Sequence, residues 1–409
     1  MKRNTVLILF SFIILFVLVR SLHFVQFLNF SHDQGDFALK ALNIYREKKI
    51  TLVGPTASPI YMGHRLISGS AFYYVLLFVL LLGHFDPIVS SYIFMLLCAV
   101  MIVPLYFGVK YLANKNTAYL IITLYTLLPF YVTNTRFLTN PTLQFWLTPL
   151  LILFMGLYNK TKNSVYFFLV WFLVGFLLLF HFQFALVLIA LIIYYLFVYK
   201  INAKLIPFAV LGFLIGISNL ILFELKNNYY DTRTALLLVQ HLKTATGGGG
   251  TPSIYFLSIS LFLFIFIFMY FKNQVSQRFI LEVFAALFIL SLFLYIKTPS
   301  QSGDKKNWNY LLDSKANSII ESQKLSDFSV VNLVYDTDAS VQKYLLAKDN
   351  INGNFDNYSS EKYLFVITKK NYDYLKDPAY EVNTFKPSKV VKSWNLNSTY
   401  VLDLRQRTR

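Results

Sequence analysis

Ten apolar runs, each of sixteen residues or more, leave this chain few ways to fold. They lie at Thr5–Phe30, Ile67–Leu82, Pro87–Val109, Ala118–Thr133, Leu143–Tyr158, Val165–Phe180, Phe182–Tyr199, Leu205–Phe223, Ile254–Phe271 and Phe279–Ile296. A 409-residue chain that is 56% hydrophobic, with a mean hydropathy of +0.53, cannot hide such runs in a soluble core. Helices in a bilayer satisfy their own backbone polar groups, so the expected class is a polytopic α-helical membrane protein. The first run follows Met1-Lys2-Arg3 but is too long for a secretion signal and shows no small-residue cleavage pattern. It is read as a retained span.

Loop charges set the expected topology. Lys2/Arg3, Lys110/Lys115, Lys160/Lys162, Lys200/Lys204 and Lys272/Arg278 flank connections of cytoplasmic type. They fall on one side only if Ile67–Leu82 does not cross. The expectation is therefore about nine spans, with Asn29–Asp86 forming a long outer loop that carries an interfacial or re-entrant helix at Ile67–Leu82. Before residue 297 there are seven acids, and six of them (Asp33, Asp36, Glu47, Asp86, Glu224 and Asp231) then lie outside. Glu282 alone is cytoplasmic, one turn after Arg278, where it pairs. All six histidines map to the outer half.

Within that outer chemistry the stretch Ser31-His32-Asp33-Gln34-Gly35-Asp36 stands first. An acidic pair at a bilayer surface is disfavoured by the low dielectric and by anionic lipid, which argues for a function. The competing reading is a solvated turn in which Asp36 caps a helix over Phe37–Tyr45. Later outer segments add His64 and Arg65, Arg136 with Asn140-Pro141, the tight hairpin His181-Phe182-Gln183, and Glu224, Lys226, Asp231 and Arg233. An amphipathic helix at Thr234–Lys243 leads to Gly247–Gly250, which reads as a linker or as a flap hinge. Carboxylates and cations at the mouth of an apolar bundle suit deprotonation of an attacking hydroxyl and stabilisation of a departing phosphate.

From Lys297 the composition changes, and 13 of the chain's 20 acids lie in this last part. Strands are expected at Val330–Tyr335, Tyr363–Thr368, Val390–Trp394 and Tyr400–Leu404, with helices at Trp308–Lys324 and Ala339–Lys348. The division is residues 1–296 as the membrane domain and 297–409 as a small extracytoplasmic α/β domain. The net charge of +17 is assigned to cytoplasmic loops and anionic lipid, and not to nucleic acid. The one cysteine, Cys98, sits in an apolar run as packing.

The membrane half resembles the GT-C glycosyltransferases, in particular bacterial relatives of the protein O-mannosyltransferases and the aminoarabinose transferase. The matching pieces are Asp33-Gln34-Gly35-Asp36, Leu52-Val53-Gly54-Pro55-Thr56-Ala57-Ser58, Phe72-Tyr73-Tyr74, Arg136 with Asn140-Pro141, His181-Phe182-Gln183 and Phe223-Glu224-Leu225. The resemblance implies inverting transfer of a sugar from a polyprenyl-phosphate donor to an acceptor hydroxyl on a glycan, lipid or protein. Asp33 matches the family's catalytic aspartate. Relatives carry Asp-Glu where this chain has Asp-Gln, which leaves Asp36 as the second acid. Substrate contacts are expected from His64, Arg65, Arg136, Asn140, His181, Gln183, Glu224, Lys226 and Arg233. The resemblance leaves open a divalent metal, and no ligand cluster in the sequence requires one. The alternative class is a transporter or flippase of a lipid-linked glycan, for which midplane charges or broken helices would speak.

Overall fold

A computed structural model describes residues 3–28, 30–57, 60–241, 253–296, 308–351 and 358–408. The glycine run Gly247–Gly250 and the glycosylation sequon at Asn357 lie outside the described residues. The chain forms two compact units interleaved in sequence. One comprises Met1–Leu22, Lys49–Leu82 and Ser90–Lys297, and the other His23–Lys48, Gly83–Val89 and Thr298–Arg409.

The first unit is a bundle of apolar helices. Among the described residues, Arg3–Ser21, Pro87–Leu112, Asn140–Thr161 and Gln277–Tyr295 are long and apolar enough to cross a membrane. A fifth candidate is the pair Ala203–Gly216 and Ser218–Lys226, bent by 61°. Shorter apolar helices run over Ser164–Leu178, Phe182–Val198 and Ile254–Tyr270. Small residues set the closest approaches, as expected where lipid removes the hydrophobic drive between helices. A Cβ on Gly108 would lie 2.6 Å from the Ile152 carbonyl, and one on Gly156 would lie 2.5 Å from the Gly108 carbonyl oxygen. Gly212 repeats the device against Phe168 of the helix Ser164–Leu178.

Two expectations about the apolar runs are corrected. The first run is not helical through Phe30. Its helix is Arg3–Ser21, and His23 at φ 47° leaves the right-handed path before a single turn at Phe24–Phe27. The run Ile67–Leu82 is not one helix either. Its start, Ile67–Gly69 (β2), pairs antiparallel with Val53–Thr56 (β1), and the helix is only Ala71–Leu82. Twelve residues rise about 18 Å, short of the roughly 30 Å hydrocarbon core.

The second unit contains a mixed sheet in the order β3-β4-β6-β5. Its strands are Phe328–Asn332 (β3), Tyr363–Lys369 (β4), Ser388–Asn395 (β5) and Tyr400–Arg407 (β6). β3 pairs parallel with β4, while β6 is antiparallel to both β4 and β5. Alternation along the strands feeds two apolar layers. Phe328, Val330, Phe365 and Ile367 join Ala316, Ile320 and Leu346 of the helices Tyr310–Ser322 and Ser340–Lys348. Val331, Leu364 and Val366 pack with Tyr374, Val382 and Phe385 on the opposite face.

The helix His32–Glu47 belongs to this same unit. A Cβ on Gly35 would lie 2.7 Å from the Val341 backbone nitrogen and 2.8 Å from the Ser340 carbonyl carbon. Only glycine allows that approach. Beyond it, the far end of the helix is held by the Arg46 guanidinium, which donates to Asn350 Oδ1 at 2.7 Å.

Candidate active site

The motif of the first outer segment opens a helix. Ser31 precedes His32–Glu47, its backbone N–H donates to Gln34 Oε1 at 3.0 Å, and its hydroxyl reaches the same oxygen at 2.8 Å. Gln34 is buried in this reciprocal cap, which gives the glutamine a structural reason for standing beside Asp33. The reading in which Asp36 caps a helix starting at Phe37 is therefore corrected. Asp36 instead sits in the second turn and accepts from Lys40 Nζ at 2.7 Å.

Asp33 lies in the first helical turn and is solvent-accessible. Its carboxyl holds a proton more tightly than usual, chiefly because neighbouring protein partly desolvates it although it remains open to solvent; His32 opposes, while Asp36 and Asp336 add to the rise. His32 Nδ1 lies 2.8 Å from Asp336 Oδ1 and 3.0 Å from Ser340 Oγ. That hydrogen bond to Asp336 pushes the imidazole up to about 9 against the pull of burial. A cavity of about 360 Å³ opens in the same unit, lined by Phe30, Ser31, Trp308, Tyr310, Tyr335 and Asp313 among others. Buried Asp313, raised to about 7 by desolvation, accepts from Tyr335 and Gln342 there.

The other expected residues fall in the membrane unit, in three groups. Glu224 is a helix cap: Oε1 accepts from Asp231 N at 2.8 Å, and Oε2 from Thr232 N at 3.0 Å, at the start of the helix Tyr230–Gln240. The helix starts at Tyr230, one turn before the Thr234 that the sequence pattern predicts. His64 and Arg65 lie against the same helix, the imidazole 6.0 Å from the Tyr230 ring and the Arg65 backbone N–H 3.5 Å from the Tyr230 hydroxyl. Lys226 and Arg233 are exposed nearby in the chain. The second group holds Asn140, His181 and Gln183. Asn140 Nδ2 donates to the Phe180 carbonyl at 3.3 Å, His181 stacks on Tyr255 at 4.4 Å, and its Nδ1 accepts from Gln183 N at 3.2 Å.

Arg136 forms the third group and is fully buried. Its guanidinium donates to the Val19 carbonyl at 3.1 Å and sits 4.6 Å from the Tyr295 ring centroid. Beside it lies Arg20, also fully buried, which the sequence reading passed over inside the first run. Arg20 donates to Thr135 Oγ1 at 2.7 Å and to the Thr126 and Tyr125 carbonyls at 2.8 and 3.1 Å. These cations stitch the end of the first helix to the segment around residues 125–136.

Asp231 is a second acid that the sequence reading did not single out for the site. It is 6% exposed, and its Oδ1 accepts from Ile67 N at 2.8 Å, tying the helix Tyr230–Gln240 to β2. Desolvation raises it to about 6, with the Ile67 hydrogen bond opposing and Glu224 adding. A third cluster far apart in sequence, His32, Asp336 and Asp338, could offer three metal-ligand atoms. The signal missing from the sequence was proximity across three hundred residues.

Residues 70–223 match a family described as dolichyl-phosphate-mannose-protein mannosyltransferase. Arg136, Asn140, His181 and Gln183 fall inside that stretch, while Asp33, Asp36, His64 and Arg65 precede it and Glu224, Lys226 and Arg233 follow it. No curated protein and no solved structure matches the chain. Over residues 70–223 the chain is thus similar to the protein mannosyltransferase-like glycosyltransferases of the GT-C superfamily, and its several apolar helices suit a multi-pass membrane protein.

Proposed function

We propose that the protein transfers a sugar from a polyprenyl-phosphate donor to an acceptor hydroxyl at the outer membrane surface, with inversion and with Asp33 as the base. The family signature supports the glycosyltransferase class. The observation that carries the base assignment is the state of Asp33: accessible, capped into the first turn of a helix, and raised above an ordinary carboxylate by its surroundings. A base of raised proton affinity deprotonates the acceptor hydroxyl as it attacks the anomeric carbon. The lipid phosphate leaves as an anion, which needs cationic side chains to stabilise it; in the membrane unit Lys226 and Arg233 are exposed cations of the kind required.

An apolar groove of about 480 Å³ supports a lipid-linked donor. It is lined by Ala71, Tyr74, Val75, Phe78, Trp146 and Phe176 and suits an isoprenoid chain. Nine crossings, with the C-terminal unit and the reaction outside, belong to the same proposal.

Asp33→Asn keeps the shape and removes the base. Sugar transfer from a radiolabelled polyprenyl-phosphate donor is expected to fall on the order of 10²–10⁴-fold, with donor binding retained. A near-normal rate would end the assignment and make Asp36 the next carboxylate to replace. The second reading, a flippase of a lipid-linked glycan, draws on the helix pair bent by 61° at Ile217. It predicts translocation of the labelled lipid in vesicles without release of its sugar.

A further inference from the structure

The cluster at the start of the helix His32–Glu47 has a geometry that catalysis by Asp33 does not use. His32 Nδ1 and Asp336 Oδ1 are 2.8 Å apart, and with an oxygen of Asp338 they all lie within 4.8 Å of one another. Two ligands at about 2.1 Å from one ion and at right angles to each other are separated by roughly 3 Å, close to the first of these distances. The ligand shell is stiff where it must be. Asp336 is nearly buried, and its second carboxylate oxygen accepts from Ser340 N at 2.9 Å, so a second-shell donor fixes its orientation. Gly35 in turn fixes the helix carrying His32 against Ser340 and Val341. Asp338 is exposed, with rotamer freedom to close on an ion and room for water ligands.

We infer that His32, Asp336 and Asp338 bind one divalent transition cation. One imidazole with two carboxylates favours ions of the Mn²⁺ or Zn²⁺ class over Mg²⁺ or Ca²⁺, which prefer all-oxygen shells. The ion ties the helix that bears Asp33 to the turn before Ser340–Lys348, two segments three hundred residues apart in the chain. The inference concerns binding and stability of the second unit and does not depend on which reaction the protein performs.

The test uses the full-length protein in detergent, stripped with a chelator and titrated separately with Mn²⁺ and Zn²⁺. One saturable site is expected, with apparent Tm rising by several degrees on loading and with much weaker binding of Mg²⁺. Asp338→Asn, at an exposed position, is expected to leave the metal-free Tm unchanged and to weaken binding at least tenfold. His32→Gln is expected to weaken Zn²⁺ more than Mn²⁺. An absence of saturable binding by the unaltered protein, or the same affinity in Asp338→Asn, would reduce the cluster to a His32–Asp336 ion pair and overturn the inference.

Discussion

Asp231 shows what one buried carboxyl does to the molecule's response to pH. Its proton affinity in the fold is raised from the usual 3.8 to about 6, first by desolvation. The folded state therefore holds this proton more tightly than the unfolded chain does. The stabilisation from the neutral carboxyl is complete below about pH 4 and is lost as pH rises through about 6. Asp231→Asn retains an oxygen to accept from Ile67 N–H and cannot ionise. Apparent Tm of the parent protein is expected to fall between pH 4 and 7 more steeply than that of the variant. The difference over that window should be several degrees, the size expected for about 1–3 kcal/mol. Parallel Tm–pH curves would show that Asp231 is not the group responsible. Its burial was not legible in the sequence, where it stands as one acid among several in a polar loop. What buries it is β2, a strand hidden inside a run that reads as helix.

At the scale of elements, the helix His32–Glu47 poses a conflict between local and long-range energetics. Helix propensity alone says that Gly35→Ala should stabilise by about 1 kcal/mol. The close approach says the reverse, since the three atoms nearest the new Cβ are backbone atoms of Ser340 and Val341, each within 3 Å. Backbone cannot step aside as a side chain can, so overpacking of roughly 1–3 kcal/mol should win. Gly35→Ala is expected to lower apparent Tm and to raise hydrogen exchange across residues 32–47, while Asn43→Ala on the exposed side of the helix does neither. A more stable Gly35→Ala protein would show that the helix does not need Ser340 so close. Periodicity did locate most elements of this unit. The helix expected at Ala339–Lys348 is Ser340–Lys348, and the strand expected at Tyr363–Thr368 is Tyr363–Lys369. The Arg278–Glu282 pair, one turn apart, forms at 2.9 Å. Local spacing supplies such things directly. It cannot say which surface a helix docks on, so the association of residues 32–47 with the C-terminal sheet unit had no signal in the chain.

At the scale of the whole membrane unit, side-chain contacts collect the basic connections together. Asn114 Nδ2 donates to the Lys272 carbonyl at 2.8 Å and Asn116 Nδ2 to the Val275 carbonyl at 3.0 Å, which joins two of those connections. Asn159 Nδ2 donates to the Tyr111 carbonyl at 2.9 Å, Lys160 lies 4.4 Å from the Tyr111 ring centroid, and Lys162 reaches the Tyr199 hydroxyl. The connections near residues 112, 161, 200 and 273 are thereby linked in pairs as the lysine pattern requires for a shared side. Contacts near Asn140–Phe180, Thr133–Tyr295 and Ile67–Asp231 join the opposite ends of the helices. A helix at Ala71–Leu82, only twelve residues long, leaves these connections on the side of Lys2 and Arg3 only if it does not cross. Were it to span, every later connection would exchange sides and the lysines would lie outside. Single cysteines at His84 and Lys272, both exposed, in a Cys98→Ser background, separate the two cases. A membrane-impermeant maleimide applied to intact cells is expected to label His84→Cys and to reach Lys272→Cys only after permeabilisation. Labelling of Lys272→Cys in intact cells would show that Ala71–Leu82 crosses, and would move Asp231 and the C-terminal unit to the cytoplasm, away from any outer-face reaction.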